Sequence, residues 1–225
     1  IRAQIGVIWF QVKVRGIPVH VADAGDGANA IEAAYGIMQA LHELEREWNS
    51  RKDQYPPYET VDHPINLNVG RIEGGDWASS VPAWCTFDVR VAIFPGQDIG
   101  DAKREIEETI RAASRRNVFL QNNPPEIVYN GFEAEGYILK DAEEPVGILA
   151  EAHRSVCGEA LKETACTATT DARFFGLYAD MPALVYGPTS ELIHGFDERV
   201  SLDSLRRVTK TMTLFLAGWC GVEAI

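Results

Sequence analysis

The run WCTFDVRVAIF, residues 84–94, alternates Cys85, Phe87, Val89, Val91 and Ile93 with Thr86, Asp88 and Arg90. Side chains two apart line one face of a strand, so this pattern buries one face and leaves the other polar. Such a strand persists only if neighbours pair with its edges and an apolar layer covers its inner face. Two other runs supply the edges. INLNVGRI, residues 65–72, sets Ile65, Leu67 and Val69 against Asn66 and Asn68, and the GGDWASSVP stretch turns the chain between the two, which predicts an antiparallel pair. VIWFQVKV, residues 7–14, places Phe10, Val12 and Val14 on one face with Gln11 and Lys13 on the other.

The covering layer is helical. Asn29 followed by Glu32 resembles a capping box with Asn in place of Ser or Thr. Ile31, Ala34, Ile37, Met38, Leu41, Leu44 and Trp48 then recur at helical spacing, predicting one long helix to about Trp48. The prolines of DQYPPYETVDHP mark a loop after it. A second helix is predicted from an Asp98 cap to Ala113, turning Ile99, Ala102, Ile106 and Ile110 inward, and EIVYNGF reads as a short strand. The order strand, helix, strand, strand, helix, strand is the ferredoxin-like βαββαβ unit, placed at residues 6–132.

Residues 133–225 follow a different pattern. Pro145 suits a first helical turn, Ile148, Leu149, Ala152 and Val156 continue it, and Gly158 stops it. PALVYG reads as a strand, and a last helix starts near Ser201 with Leu202, Leu205, Val208, Met212, Phe215, Leu216 and Trp219 on one side. One strand and two helices are thin for an independent α/β domain, so this stretch reads as half of one. The chain opens on Ile1 rather than Met and is taken as a piece of something longer. The fold class expected is α/β, with a ferredoxin-like α+β domain at residues 6–132.

A formal net charge of -12 excludes a nucleic-acid backbone as partner, because phosphate binding needs a basic surface. No apolar run approaches membrane-spanning length and no basic leader precedes one, so a cytoplasmic protein without a membrane partner is expected. Cys85, Cys157, Cys166 and Cys220 lie far apart with no C-x-x-C, which suits buried thiols better than a zinc ribbon or a disulfide framework.

Chemically useful residues concentrate in three places: GIPVHVADAGDGANA around His20, TTDARFF at 169–175, and YGPTSELIHGFDERVS at 186–201. Read singly, each has an ordinary explanation. His20 and His194 fit hydrogen-bonded surface positions, Asp171 and Arg173 fit an ion pair or a helix start, and Glu191, Asp197, Glu198 and Arg199 fit a solvated loop. His42, His63 and His153 carry no ligand spacing. Yet the last stretch follows a predicted strand, and loops beyond strand ends are where α/β proteins keep their sites.

Taken in order, WFQVKVRGIPVH, NVGRIEGGDWASSVPAWCTFDVRV, TTDARFF and PALVYGPTSELIHGFDERVSLDSL resemble the zinc-dependent amidohydrolase and peptidase family. That family contains acetylornithine deacetylase, succinyl-diaminopimelate desuccinylase, aminoacylase and glutamate carboxypeptidase. The resemblance covers nearly all of the chain. It implies a catalytic α/β domain holding two zinc ions, with cobalt or manganese as alternatives, and an inserted ferredoxin-like lid through which two subunits form a homodimer. Residues 133–225 would be the C-terminal segment of the catalytic domain.

The resemblance also assigns roles. His20 matches the lid histidine that reaches the neighbouring subunit's site to polarise the scissile carbonyl. His194, in G-P-x(5)-H-x-x-D-E, matches a metal ligand. Arg173 matches an arginine suited to a substrate carboxylate, and Gly187 and Pro188 shape the substrate loop. Ser80 stands where many members carry Asn in the lid segment, and Arg90 is read as structural. The H-x-D ligands, the bridging aspartate and the paired glutamates of the family lie before the lid and are not among these residues. The implied activity is hydrolysis of an N-acyl amino acid or related small amide bearing a carboxylate. A carboxypeptidase or dipeptidase, and a non-catalytic dimerisation module, are the alternatives. The complete protein is expected to be an enzyme and this chain alone inactive.

Overall fold

In the computed structural model, which describes residues 1–223, the alternating runs become strands β1 (Gly6–Arg15), β2 (Leu67–Gly74) and β3 (Trp84–Ile93). The periodic runs become helices α1 (Ala30–Ser50) and α2 (Ile99–Ser114), and Glu126–Val128 adds β4. All pairings of these strands are antiparallel in the order β2-β3-β1-β4, with Glu133–Ala134 also pairing against β1. This is the ferredoxin-like arrangement. The chain clusters into two units. The first, the lid, comprises Gln4–Tyr137 with Thr167–Thr169, and the second comprises Ile1–Ala3, Ile138–Cys166 and the residues from Thr170 on.

Period two decides which lid face is buried. Ile8, Phe10, Val12 and Val14 of β1 and Cys85, Phe87, Val89 and Val91 of β3 are all buried. Ile37, Leu41 and Leu44 of α1 and Ala102, Ile106 and Ile110 of α2 are buried with them. Removing each large aliphatic side chain from water contributes about 1.5–3 kcal/mol. On the opposite face Gln11 and Asp88 are cross-strand partners, and the Gln11 amide donates to the Asp88 carboxylate at 2.7 Å. The helix starts have local causes. The Asn29 side chain accepts from the amides of Ile31 and Glu32 at 3.0 and 3.1 Å, and Asp98 accepts from Asp101 at 2.9 Å. The two helices are tied by the Trp48 indole, which donates to Glu105 at 2.8 Å. The edge strand β2 carries a bulge between Val69 and Arg71, a device that discourages open-ended pairing at an edge.

In the second unit α3 (Glu143–Cys157) ends at Gly158, whose φ of 75° is the left-handed conformation that glycine supplies at a helix stop. α4 (Ala172–Tyr178) is a short helix where the sequence offered only a helix start. α5 (Leu202–Cys220) begins at Ser201, which caps Ser204. It approaches α3 closely enough that a Cβ on Gly218 would meet Ile148 at 3.0 Å.

Two expectations need correction here, that PALVYG is a strand and that the cysteines are buried thiols. PALVYG forms no strand, because no segment among the described residues pairs with it; the Val185 carbonyl is instead taken by the Ile1 amino group at 2.9 Å. Just after it comes a short antiparallel pair, β5 (Ser190–Glu191) and β6 (Arg199–Val200). The apolar side of α5 is only partly covered, since α3 shields Thr211 and half-buries Val208, Met212 and Phe215, while Leu202, Leu205, Leu216 and Trp219 stay exposed. Of the thiols, only Cys85 is buried, and Cys220 is exposed. No described helix is long and apolar enough to cross a membrane.

Candidate functional site

The His20 loop is held by backbone proximity. A Cβ on Gly16 would lie 2.2 Å from the Ala28 carbonyl oxygen and 2.6 Å from that of Pro82, so only glycine lets three backbone segments meet there. Ile17 and Ala28 then exchange hydrogen bonds across the base of the loop, at 2.9 and 3.1 Å. Further along, the Val21 amide donates to Ser79 at 3.0 Å and the Val81 amide to Val19 at 2.9 Å. These bonds strap the 16–29 loop to the turn between β2 and β3, and they pair His20 with Ser80 as cross-strand neighbours. Two residues singled out in separate motifs, sixty positions apart, are thus brought together within the lid.

His20 itself is exposed and caps the short helical turn Val21–Asp26, its Nδ1 accepting from the Ala22 amide at 3.1 Å. Beside it runs an open groove of about 610 Å³ whose lining includes Val21, Asn29, Glu32, Asp76, Trp77 and Ser80. Trp77 is 68% exposed, and the Trp84 indole donates to Asp76 at 3.3 Å. Sequence reading passed over this groove; the signal was a tryptophan placed in a polar, glycine-containing turn.

The remaining candidates lie in the second unit. His194 occupies the turn between β5 and β6 at φ 65°, a left-handed conformation costly for a residue with a Cβ. Its amide donates to Glu198 at 3.3 Å, and Arg199 clamps the hairpin base on Glu191 with bonds of 2.8 and 2.5 Å. The His194 side chain is exposed. Gly187 and Pro188 precede the hairpin in irregular backbone, with open space around Gly187. Arg173 is 3% exposed in α4, its guanidinium 4.0 Å over the Phe174 ring. No three His, Cys, Asp or Glu side chains among the described residues are arranged to hold a metal ion.

A cluster the sequence did not announce lies on the lid. Glu45 of α1, only 12% exposed at its side chain, faces His42 Nδ1 at 2.9 Å and His63 Nε2 at 3.0 Å. It also accepts the amide of Leu67, at the start of β2, at 2.8 Å. Burial alone would raise this carboxyl. The hydrogen bonds from His42, the Leu67 amide and His63 together outweigh that and hold it below the usual carboxylate range. Asn49 completes the clasp, bonding both the amide and the carbonyl of Ile65. The i, i+3 spacing of His42 and Glu45 on one helix was the only trace of it in the sequence. Arg90 donates to the Asn66 carbonyl at 3.1 Å, a structural contact.

Residues 2–118, just over half of the chain, match the peptidase dimerisation domain of the M20 peptidases, and the chain belongs to that family. It is 30% identical over 240 residues to the N-formyl-4-amino-5-aminomethyl-2-methylpyrimidine deformylase of Bacillus subtilis, a match spanning 98% of this chain and 55% of that protein. It is 25% identical over 224 residues to the acetylornithine deacetylase of Edwardsiella ictaluri, across 98% of this chain and 54% of that one. A dipeptidase structure from Saccharomyces cerevisiae shares the fold, with a TM-score of 0.71, 13% identity, and coverage of 99% of this chain and 56% of the other. The chain spans about half the length of the relatives it matches.

Proposed function

We propose that this chain is the lid (residues 6–132) and the C-terminal catalytic segment (residues 133–225) of a metal-dependent hydrolase that removes a small acyl group from an amide nitrogen. The observation that carries this reading is the extent of the match: 98% of the chain aligns with proteins named as a deformylase and a deacetylase, a span long enough to take in both the lid and the stretch that holds TDAR and His194. The uncovered apolar residues of α4 and α5 support a catalytic domain built partly by a segment outside these residues.

His20 donates a hydrogen bond to the scissile carbonyl and to the oxyanion that develops from it, and Ser80 adds a polar contact beside it. His194 is one ligand of a zinc ion whose other ligands come from that further segment, since a catalytic zinc needs about three protein ligands. Gly187 and Pro188 form the wall against the substrate. Arg173 pairs with a carboxylate on substrates that have one, and that carboxylate would displace the Phe174 ring from the guanidinium. The lid joins two copies into a homodimer, a reading supported by the dimerisation-domain match.

The test is hydrolysis by the longer protein containing this chain, loaded with zinc. The panel is N-formyl-4-amino-5-aminomethyl-2-methylpyrimidine, N-acetylornithine and a dipeptide. Turnover of either acyl amide, lost in H194A and lowered at least about 100-fold in H20A, is the expected result. Cleavage of the dipeptide alone would move the protein to the peptidases. No turnover of any of the three, from a folded dimer that takes up no zinc, would leave a dimerisation module.

A further inference from the structure

One nitrogen of the His20 ring is already committed. Its Nδ1 lies 3.1 Å from the backbone amide of Ala22, the contact that caps the turn Val21–Asp26. A neutral imidazole has one N–H and one bare nitrogen, and the partner of one fixes the character of the other. A backbone amide can only donate. Nδ1 is therefore the bare acceptor, and the ring proton sits on Nε2.

We propose that the Ala22 amide is a positioning group that holds His20 as an Nε2–H donor, so that the lid offers an amide substrate a hydrogen bond for its carbonyl oxygen rather than a base for its water. The identity of the substrate rests on the hydrolase reading above; the tautomer belongs to this chain alone. In this role His20 keeps its proton throughout, and no bond to it forms or breaks. The backbone that carries the donor is also held in place. The His20 carbonyl accepts the Asp23 amide at 2.9 Å, Val21 donates to Ser79, Val81 donates to Val19, and Ser80 donates to Trp77 at 3.0 Å. Holding a donor ready where charge develops is what makes such a group effective, because little reorganisation remains at the moment of reaction.

The experiment is long-range proton–nitrogen correlation spectroscopy on the 225-residue chain labelled with nitrogen-15 histidine, with the His20 signals identified by their loss in H20A. The expected wild-type pattern is a protonated Nε2 and a bare Nδ1. Imidazole itself leans the same way, so the decisive comparison is A22P, which removes the amide proton, against A22G, which keeps it. The Nδ1–H population should rise roughly two- to tenfold in A22P, the worth of one net hydrogen bond. H20A should shift the Ala22 amide proton upfield, and this second measurement decides the matter if proline disrupts the turn. A protonated Nδ1 in the wild type, or an Ala22 amide unmoved in H20A, overturns the proposal. Those results would leave the hydrolase reading standing. Failure of the substrate panel with the Nε2–H form intact would remove the reading and leave the tautomer device.

Discussion

Replacing Glu45 by Gln tests whether the carboxylate clasp holds the first turn of the β2 edge. The substitution keeps the shape and one carbonyl oxygen, so the Leu67 amide retains an acceptor, but it removes the charge that both imidazoles face. Hydrogen bonds to a charged group are worth about 1.5–3 kcal/mol each and neutral ones about 0.5–1.5, so converting two to neutral form costs about 1–3 kcal/mol at pH 7. The Glu45 carboxyl is lowered in the folded state, so its contribution is fully present above the unfolded carboxyl value of 4.5 and disappears as pH falls through the lower folded value. The gap between wild type and E45Q should therefore be present at pH 7 and shrink as pH falls below 4.5 through the lower folded value. Urea unfolding followed by tryptophan fluorescence reads this unit, because Trp9, Trp48, Trp77 and Trp84 all lie in the lid and only Trp219 does not. Equal midpoints at pH 7, or a gap that widens on acidification below pH 4.5, would refute the reasoning.

G16A forces a Cβ to within 2.2 Å of a backbone oxygen, so the loop strap must part; hydrogen exchange at the Val21 and Val81 amides should accelerate by at least about tenfold while the α2 core amides hold. Thiol labelling should run in order of exposure, with Cys220 reacting first and Cys85 last, because burial both covers the Cys85 sulfur and pushes its thiol up, away from the reactive thiolate. Complete labelling of Cys85 before Cys220 would contradict the placement of β3 in the core.

The lid was legible because its elements are signalled twice, by period and by punctuation. β3 shows five alternating apolar positions, α1 shows seven at helical spacing after an Asn cap, and α2 shows an Asp cap before its stripe. Each signal is local, and each is satisfied inside the same unit. PALVYG has the apolar content of a strand, but a strand also needs a partner backbone, and that is a property of other segments. The α5 periodicity was read correctly, whereas which of its residues are buried depends on which neighbours cover it, and among the described residues α3 is its main packing partner. For the site, the His20 motif was visible in sequence, while its pairing with Ser80 needed the long-range register that the strap imposes. The Glu45 clasp was invisible for the same reason, since His63 and Leu67 come to α1 from a loop and a strand beyond it.

The two units differ in how much of their chemistry is already built. In the lid, conformational order at His20 follows from folding itself: Gly16 permits the backbone approach, four amide–carbonyl bonds fix the loop, and a fifth amide orients the ring. Fixing a residue's backbone costs about 1–2 kcal/mol, and here that cost falls on folding, before any substrate arrives. His194 stands in the opposite condition, on an exposed two-strand hairpin at a left-handed φ and flanked by the exposed side chains of Leu192, Ile193 and Phe196. Apolar side chains at a hairpin tip are stable in that exposure only at a cost, and a left-handed histidine adds to it. Burying the tip would remove the first cost, while the backbone strain stays and is offset only by contacts that the hairpin makes. His20 is thus ordered by bonds within its own unit, whereas His194 sits on an exposed two-strand hairpin with a left-handed backbone.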